Sequence, residues 1–415
     1  MSRSIPAPEF IATAAYVNLM RITRNFATLT ARPFRLAAAE GSALMGGSNT
    51  CRACRGTAGD IVLDLGLQPA CDYFPRSSDP APDPVYPLQM WLCARCGLAQ
   101  LLTDPTTPEE PRGTEPAALA AQAAEAVGLA SAAGLLPEGA TVAEYGSPHG
   151  GSWLGLLAAR GLKPATDDRP ADVIVDCFGM MHAADQAAAM DERTGRLAPS
   201  GVLMLQYHSL DAIVRHGQWN VLRHGHYAYY STTALTSLLA RHGLTPRRAW
   251  QFDLYGGTVL LAAGRTADGV GVTDESVRSL LATEASSGVS DPAVVRRLQH
   301  DVQQRAGGLR ALLTAKWSVG HPVLGYGAAS RAVALLRAAQ IDSNLLPAVV
   351  DASPAKQGLR MPGTDIPVIR PAELATRRPA VVILFVADLL AEVRSTYPEV
   401  EDNGGSWILA DALTA

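Results

Sequence analysis

Residues 141–152 read TVAEYGSPHGGS, and this stretch sets the fold of the middle of the chain. An apolar segment runs into a glycine-containing turn, and a helix is predicted from about Trp153. A strand, a glycine turn and a helix in this order open an α/β sheet, and the amides of the turn can approach a polar or anionic cofactor. The pattern Glu144-x-Gly146-x-x-x-Gly150 is a weak signal by itself, because an unoccupied strand–helix turn explains it about as often.

Short apolar strands alternate with helices on both sides of this turn. The sequence predicts an alanine-rich helix over 117–133 and strands at 171–176 (ADVIVD) and 200–206 (SGVLMLQ). The segment 177–185 (CFGMMHAAD) is typical of a loop that borders a cofactor pocket, which makes His182 a candidate cofactor-binding residue. This alternation indicates an open α/β sheet.

A second Rossmann-like domain is predicted over 317–415. Residues 321–336 (HPVLGYGAASRAVALL) repeat the strand–glycine turn–helix design, and strands are expected at 346–351, 366–368 and 381–386. The glycine pattern is weak evidence for a bound nucleotide, because such turns also occur unoccupied. If this turn is occupied, the amides from Gly327 to Ser330, together with Arg331, would face phosphates. Residues 274–316 carry helical periodicity and predict one long connecting helix.

Two C-x-x-C pairs mark the N-terminal part of the chain. The pairs are Cys51–Cys54 and Cys93–Cys96. Each turn aims two thiolates at one ion, and four sulfur ligands suit a closed, tetrahedral zinc site that holds the fold and performs no chemistry. A disulfide framework and unrelated core cysteines are the two alternatives. The preferred interpretation is a zinc-binding module over 51–104 in a protein of the reducing cytoplasm.

The segment 217–235 concentrates histidine and tyrosine directly before a predicted helix. Within seven residues it contains His224, His226, Tyr227, Tyr229 and Tyr230, and Ser231 follows as a plausible N-cap. A single histidine is usually structural. Two histidines among three tyrosines at this position more often line a polar pocket.

Composition excludes several classes of protein. The net charge of the 415-residue chain is −4, from 35 basic and 39 acidic residues, which argues against a generally basic nucleic-acid binder. The most apolar run, 380–387, ends at Asp388 and is far shorter than the roughly 20 residues of a membrane span. All basic residues are arginine except Lys163, Lys316 and Lys356, which we interpret as the bias of a GC-rich genome.

The remaining segments are predicted to be connections. Residues 1–50 are expected to be a disordered leader. The alternative is that the start is assigned too far upstream and that Met45 is the true start. Residues 105–116 (PTTPEEPRGTEP) have the composition of a linker. The expected organisation is therefore a leader, the zinc-binding module, a central domain over 117–273, the connecting helix and the C-terminal domain.

These pieces, in this order, resemble the sugar C-methyltransferases that build branched deoxysugars of antibiotics. The resemblance covers about residues 51–415. The stretches that carry it are CRAC (51–54), LGLQP (65–69), YPL (86–88), CARCGLAQL (93–101), the glycine turn at 144–150, STTALTSLLARHGL (231–244), YGGT (255–258), GYGAA (325–329) and DASPAKQGLRMPGTDIPV (351–368).

The resemblance implies a fold, a substrate and a reaction. It implies a zinc-bearing N-terminal module, a central S-adenosylmethionine domain and a C-terminal Rossmann-like domain, acting on a thymidine diphosphate 4-keto-deoxysugar as a monomer or homodimer. A base would remove the proton at C3, and the resulting enolate would attack the sulfonium methyl group in line. Neither nucleic acid nor membrane is an expected partner.

The family's base motif reads Tyr-His-Glu-His, and the matching residues here are Arg223-His224-Gly225-His226. The resemblance therefore assigns the base to His226. The missing carboxylate at Gly225 should weaken that base. Arg223 could hold an enolate or a phosphate but cannot act as a base at neutral pH. His224, and Tyr73 and Tyr227 as residues near the sugar, complete the candidate set.

The central domain departs from a full methyltransferase fold. Only 162–170 separate the helix after the glycine turn from the strand at 171–176, so roughly 30 residues, the size of a βαβ unit, are missing. Asp167 or Asp168 falls near the usual spacing for the acid that binds the ribose. An abbreviated methyltransferase domain is therefore expected.

Two functional hypotheses follow. The first is a working C-methyltransferase with a trimmed cofactor pocket and His226 as base. The second is a relative that kept the nucleotide-sugar site without methyl transfer, as a ketosugar epimerase, a ketoreductase or a noncatalytic partner. Proton removal at C3 is already half of an epimerisation.

Overall fold

The computed structural model describes residues 49–79, 81–106, 115–148, 150–166, 169–266 and 273–414. Residues Ser48–Ala415 pack as one compact unit. The predicted leader, apart from residues 49 and 50, lies outside the described residues. So do both candidate ribose acids, Asp167 and Asp168.

The N-terminal module is built on three antiparallel strands, β1 (Gly59–Pro69), β2 (Val85–Cys93) and β3 (Ala99–Leu101). Alternate side chains such as Leu88, Met90 and Leu92 on β2 are buried in one core cluster. Trp91, between them, packs with the four C-x-x-C cysteines in another cluster. Both faces of the module are therefore covered.

The central part contains a six-stranded sheet whose order is β5-β4-β6-β7-β10-β9. Its elements are α1 (Ala117–Ala132), β4 (Thr141–Gly146), α2 (Leu154–Ala158), β5 (Lys163–Pro164), β6 (Ala171–Cys177), α3 (Gln186–Arg196), β7 (Leu197–His208), α4 (Leu210–Arg215), β8 (Ala228–Tyr229), α5 (Thr232–Arg241), β9 (Leu244–Phe252) and β10 (Thr258–Arg265). Strands β4 to β7 are parallel, and β10 runs antiparallel to both β7 and β9. The predicted helix and strands are present, and Ser231 caps α5 through Ala234 N at 3.1 Å.

The sheet is abbreviated where the sequence predicted it. Its edge strand β5 is two residues long, and the described residues between β5 and β6 form no helix or strand. An open α/β sheet binds ligands beyond the carboxyl ends of its parallel strands. Because β5 has only two residues, it gives the crevice little protein wall on that side.

The short strand β8 does not join the central sheet. It pairs antiparallel with β3 as the fourth strand of the N-terminal sheet, with Ala99 opposite Tyr229 and Gln100 opposite Ala228. The chain thus returns from the central sheet to complete the N-terminal module.

The prediction of one long connecting helix over 274–316 is wrong. The segment forms α6 (Glu275–Ser287), α7 (Pro292–Val295) and α8 (Arg297–Ser318). Gly288 ends α6 in the left-handed conformation, at φ 72°. Asp291 then caps α7 through Ala293 N, with Pro292 in the first turn, where its missing N–H is not needed. The segment does carry helical periodicity, but these helix-ending and helix-starting residues divide it into three helices.

The C-terminal part is a parallel five-stranded sheet of order β13-β12-β11-β14-β15. Its elements are β11 (Val323–Tyr326), α9 (Ser330–Ala338), β12 (Val349–Val350), β13 (Val368–Ile369), α10 (Glu373–Arg377), β14 (Val381–Leu384), α11 (Leu390–Thr396), α12 (Glu399–Asp402) and β15 (Ser406–Leu409). The predicted strands are present in shorter form, and β15 was not foreseen. No helix among the described residues has the length and apolarity needed to cross a membrane.

A buried ion pair joins the N-terminal module to the C-terminal sheet. The Arg360 guanidinium donates to both carboxylate oxygens of Asp83, at 2.7 and 2.8 Å, and both side chains are more than nine-tenths buried. Asp83 also accepts a hydrogen bond from Gly363 N at 2.6 Å. The carboxylate therefore accepts three hydrogen bonds from two residues of one loop.

Asp83→Ala should lower the free energy of unfolding by about 3 to 5 kcal/mol, because it leaves the Arg360 charge buried without its counterion. Urea unfolding followed by circular dichroism measures this change. The matched control is Asp60→Ala, which removes a half-exposed ion pair with Arg296 and should cost less than about 1 kcal/mol. Equal effects of the two substitutions would contradict the prediction.

Candidate functional site

The four cysteines of the C-x-x-C pairs come together, and each is buried. Their sulfur atoms all lie within 4.8 Å of one another. The Cys51–Cys96 and Cys54–Cys93 sulfur distances are 3.6 and 3.5 Å. Four sulfurs at about 2.3 Å around a tetrahedral zinc ion are about 3.8 Å apart, so these residues fit a structural zinc site.

One of the C-x-x-C turns also contacts the central part of the chain. Arg52 donates to Leu101 O and Ala184 O at 3.1 and 2.9 Å, and its guanidinium lies 4.7 Å from the centre of the Tyr227 ring. Arg55 forms an ion pair with Asp185. The metal-binding turn thereby contacts two separate segments of the central part, at residues 184–185 and at Tyr227.

Residues 222–227, here called the histidine loop, are held by the N-terminal module. Asp104 accepts a hydrogen bond from Gly225 N at 2.6 Å, and Pro87 O lies 3.1 Å from His224 Nε2. Directly after the loop, β8 pairs with β3. Sequence reasoning missed Asp104, although an acid three residues after β3, at the end of the predicted zinc-binding module, is a signal that could have found it.

A cavity of about 300 Å³ lies where the carboxyl ends of the central and C-terminal parallel strands meet. Pockets for small ligands usually measure about 300 to 1,000 Å³. The residues around it are Glu115, Pro116, Leu119, Ser147, Gly150, Phe178, Met181, His182, His208, Val221, Arg223, His226, Tyr229, Tyr255, Gly327, Ala328, Ala329, Ser330, Arg331, Asp351, Lys356, Val386 and Leu389.

Two histidines from different loops meet at the cavity wall. The rings of His182 and His226 are perpendicular, with centres 4.6 Å apart. His182 Nδ1 lies 3.1 Å from Gly225 O, and its Nε2 lies 3.5 Å from Ser147 Oγ. His182 thus links the glycine turn to the histidine loop and sets the edge against which His226 packs.

The loop that carries His182 is fixed by a buried ion pair. Arg193 Nε donates to Asp176 Oδ2 at 2.6 Å, and the other carboxylate oxygen accepts from Met180 N at 2.9 Å. Complete burial raises the pKa of Asp176, while the Arg193 charge opposes that shift. These contacts hold residues 177–182 at the end of β6, and Phe178 adopts a left-handed φ of 61° there.

Arg223 connects the N-terminal module to the C-terminal part at the cavity. Its guanidinium donates to Ser330 Oγ at 2.6 Å and lies 3.6 Å from Asp72 Oδ1. Its backbone N–H donates to Tyr229 Oη at 3.1 Å. The side chain is buried but lines the cavity, so a permanent positive charge is available to a ligand.

The glycine turn after β4 forms the opposite wall. Gly150 lines the cavity at φ 106°, a conformation that residues with a Cβ rarely adopt. Glu144 is not among the residues that line the cavity, and its carboxylate accepts hydrogen bonds from Ser152 Oγ and Trp153 N at 2.6 and 2.5 Å. It holds the turn and the start of α2 in place.

The C-terminal glycine loop carries the polar groups of the third wall. Asp351 accepts a hydrogen bond from Ala328 N at 2.7 Å, and Lys356 Nζ donates to Ala328 O at 3.0 Å. Gly327, Ser330 and Arg331 therefore stand on a loop fixed from both sides. Lys356 is buried and was missed by sequence reasoning. The rarity of lysine in this sequence is a signal that could have found it.

The structure brings most of the sequence-predicted residues to one cavity and leaves several out. Those at the cavity are Gly150, His182, Arg223, His226, Gly327, Ser330 and Arg331. Glu144, Gly146, His224, Tyr73 and Tyr227 are not among the lining residues. His224 packs on the N-terminal strands, Tyr227 lies beside Arg52, and Tyr73 is 45% exposed.

Comparison with protein families gives three matches along the chain. A model described as "Putative zinc binding domain" matches residues 51–110, a "Methyltransferase domain" matches 119–249, and a "C-methyltransferase C-terminal domain" matches 253–410. Together the three models span most of residues 51–410, so along this length the chain is similar to C-methyltransferases.

A curated protein similar to this chain is the C-methyltransferase NovU of Streptomyces niveus. The two are 27% identical over 237 residues, which are 56% of this chain and 55% of NovU. The chain therefore matches about half of that relative's length.

Solved structures give weaker likenesses. Magnesium protoporphyrin IX methyltransferase from Synechocystis PCC 6803 is 11% identical with a TM-score of 0.28, over 36% of this chain and 84% of that one. The 1,6-didemethyltoxoflavin-N1-methyltransferase of Burkholderia thailandensis is 15% identical with a TM-score of 0.27, over 37% and 80%.

Cys54→Ser should remove one equivalent of bound zinc, because three thiolates and a hydroxyl form a much weaker site. The metal content of the purified protein, determined by mass spectrometry, tests this. Cys71→Ser is the matched control: Cys71 is also buried but lies outside the four-cysteine cluster, so its variant should keep the metal. Zinc retained by Cys54→Ser, or lost from Cys71→Ser, would contradict the assignment.

Proposed function

We propose that this protein is an S-adenosylmethionine-dependent C-methyltransferase that acts on a thymidine diphosphate 4-keto-deoxysugar in antibiotic biosynthesis. One observation carries the proposal. A single cavity joins the central glycine turn, the paired histidines and the C-terminal glycine loop. A methyl donor, a base and a nucleotide sugar need those three elements within reach of one another.

His226 is the proposed base. It lines the cavity and packs edge-on against His182, whose own position is set by Gly225 O and Ser147. The family's carboxylate at position 225 is absent. Asp104 instead binds the Gly225 amide, so it restrains the backbone of the histidine loop.

Arg223 and the C-terminal loop are proposed to hold the anionic parts of the substrate. The Arg223 guanidinium is suited to an oxyanion that develops next to the ketone, because its charge persists at every relevant pH. Arg331, with the amides near Gly327 and Ser330, is suited to the diphosphate. All four residues line the cavity.

The residues at the glycine turn leave space for the end of S-adenosylmethionine that carries the methyl group. Gly150 leaves room where a Cβ would project, and Ser147 and Phe178 flank the same space. When bound, S-adenosylmethionine would supply an electrophilic methyl group. The protein's own part is to orient the donor, to exclude water with Leu119 and Phe178, and to remove the C3 proton with His226.

Zinc is proposed to have a structural role only. The four-sulfur shell has no open position, so the ion cannot polarise a ketone. Because β3 follows the second C-x-x-C turn and pairs with β8, the metal supports the histidine loop through the backbone. We further propose that the protein works in the reducing cytoplasm as a monomer or homodimer.

A specific observation also favours a second candidate, a ketosugar epimerase or other relative without methyl transfer. The two-residue β5 leaves little protein on the side of the crevice where the sheet should support adenosine. Proton removal by His226 and return of the proton to the other face would suffice for epimerisation.

Calorimetric titration separates these two candidates. We expect S-adenosylmethionine and thymidine diphosphate each to bind the purified protein, and the ketosugar to gain 14 mass units when both substrates are present. Binding of thymidine diphosphate alone, with exchange of the C3 proton for deuterium from D2O and no methylated product, would favour the epimerase.

His226→Ala should lower kcat by about 10² to 10⁴-fold with little change in the affinity for thymidine diphosphate, because it removes the base and leaves the phosphate-binding loop intact. Steady-state kinetics and the same titration measure both values. His300→Ala, at an exposed position on α8, is the matched control and should retain wild-type kcat. A His226→Ala variant with wild-type turnover would exclude this residue as the base.

A further inference from the structure

Tyr255 adopts a backbone conformation that is uncommon outside glycine. It lies in the turn between β9 and β10, with φ 57° and ψ 20°. The left-handed conformation costs free energy in a residue with a Cβ, so it persists where the surrounding structure enforces it, and such residues are concentrated at functional sites. Among the described residues that line the cavity, Phe178 and Tyr255 are the two non-glycine residues in this conformation. None of the roles proposed above uses Tyr255.

Both polar groups of the Tyr255 backbone are bound by side chains from other parts of the chain. Asp388 Oδ1 accepts a hydrogen bond from Tyr255 N at 2.9 Å, and Gln218 Nε2 donates to Tyr255 O at 3.0 Å. Gln218 can come this close because the next residue is glycine: a Cβ on Gly256 would lie 2.4 Å from Gln218 Nε2. Asp388 follows β14 in the C-terminal part, and Gln218 precedes the histidine loop. The Tyr255 backbone is therefore fixed from two sides.

The Tyr255 ring lies beside Arg331 at the cavity. The guanidinium carbon of Arg331 is 5.4 Å from the ring centre, which is within the range of about 6 Å for a cation–π contact. The Arg331 side chain forms no ion pair or hydrogen bond with another described residue, so the ring contact is its one specific restraint there. Both residues line the cavity.

A second arginine beside a ring shows how Arg331 differs. The Arg248 guanidinium lies 5.9 Å from the Trp250 ring centre, but it also forms an ion pair with Asp274 at 2.9 Å. A carboxylate would fix Arg331 as well, but it would neutralise the charge and occupy the N–H donors that an anionic ligand needs. An aromatic ring restrains the guanidinium and leaves both available. The Tyr255 ring is thus a support that does not compete with the ligand.

We propose that Tyr255 is a positioning residue that acts through Arg331: its ring holds the guanidinium in the orientation that binds the diphosphate of the nucleotide sugar. This rests on the proposed function, in which Arg331 faces the diphosphate. A side chain that is restrained before binding loses less conformational entropy when the ligand arrives, so the ring raises the affinity. The hydroxyl group of Tyr255 has no part in this role.

The test is a double-mutant cycle on the affinity for thymidine diphosphate, measured by calorimetry. Tyr255→Leu should weaken binding by about 5 to 30-fold, and Arg331→Ala by about 10 to 100-fold. Because Tyr255 acts through Arg331, adding Tyr255→Leu to Arg331→Ala should change the affinity by less than about twofold. Tyr255→Phe, which keeps the ring, should bind like the wild type.

Trp250→Leu is the matched control, because it removes the ring beside Arg248 and lies outside the cavity lining. It should leave the affinity for thymidine diphosphate unchanged, and thermal unfolding should show that every variant is folded. An equal effect of Tyr255→Leu with and without Arg331 would indicate a merely structural role and overturn the proposal. An affinity loss in Tyr255→Phe equal to that in Tyr255→Leu would overturn it too.

The same measurements separate this role from the proposed reaction. If the cycle follows the prediction but no methylated sugar forms, the proposed methyl transfer fails and the role of Tyr255 stands. If methylated product forms but the two substitutions act independently, the role of Tyr255 fails and the proposed reaction stands. A wild-type protein that binds no thymidine diphosphate would refute the proposed substrate, and this inference with it.

Discussion

The pairing of β3 with β8 is the contact on which the candidate site depends. It consists of a few backbone hydrogen bonds, but it draws the chain from the central sheet back to the N-terminal module immediately after the histidine loop. The loop would otherwise be a glycine-containing turn with little restraint. Asp104 adds a hydrogen bond to Gly225, and Arg52 holds Tyr227 from the metal-binding turn. A zinc site that takes no part in the reaction can therefore still help to hold the histidine loop in place.

Charges within the protein are placed so that they fix loops and leave the cavity mostly apolar. The Asp176–Arg193 pair is buried and satisfied by several hydrogen bonds, which offsets its desolvation. Arg223 is different, because it lines the cavity, where its charge lies 3.6 Å from Asp72 Oδ1. A positive charge at the cavity wall is suited to an anionic ligand. This contrast distinguishes structural charges from those available to a substrate.

The shortened central sheet and the large C-terminal contribution belong together. With β5 reduced to two residues, the central sheet offers a ligand less support than a full open sheet would. The C-terminal loop supplies much of the remaining wall, including Ser330, Arg331 and Lys356. The site is thus shared between two parallel sheets whose carboxyl ends face the same space, and neither sheet alone would enclose a ligand.

The sequence by itself determined the local features. The C-x-x-C spacing, the two strand–glycine turn–helix units and the N-cap at Ser231 are short-range patterns, and each is present in the structure. The prediction of one long connecting helix was wrong because the helical periodicity continues across Gly288 and Pro292. The ends of the helices there are decided by these single residues.

Only the tertiary structure decided which side chains meet. His182 and His226 lie 44 positions apart in sequence and touch, whereas His224, two residues from His226, packs on the N-terminal strands. Sequence distance does not report the direction of a side chain in a loop.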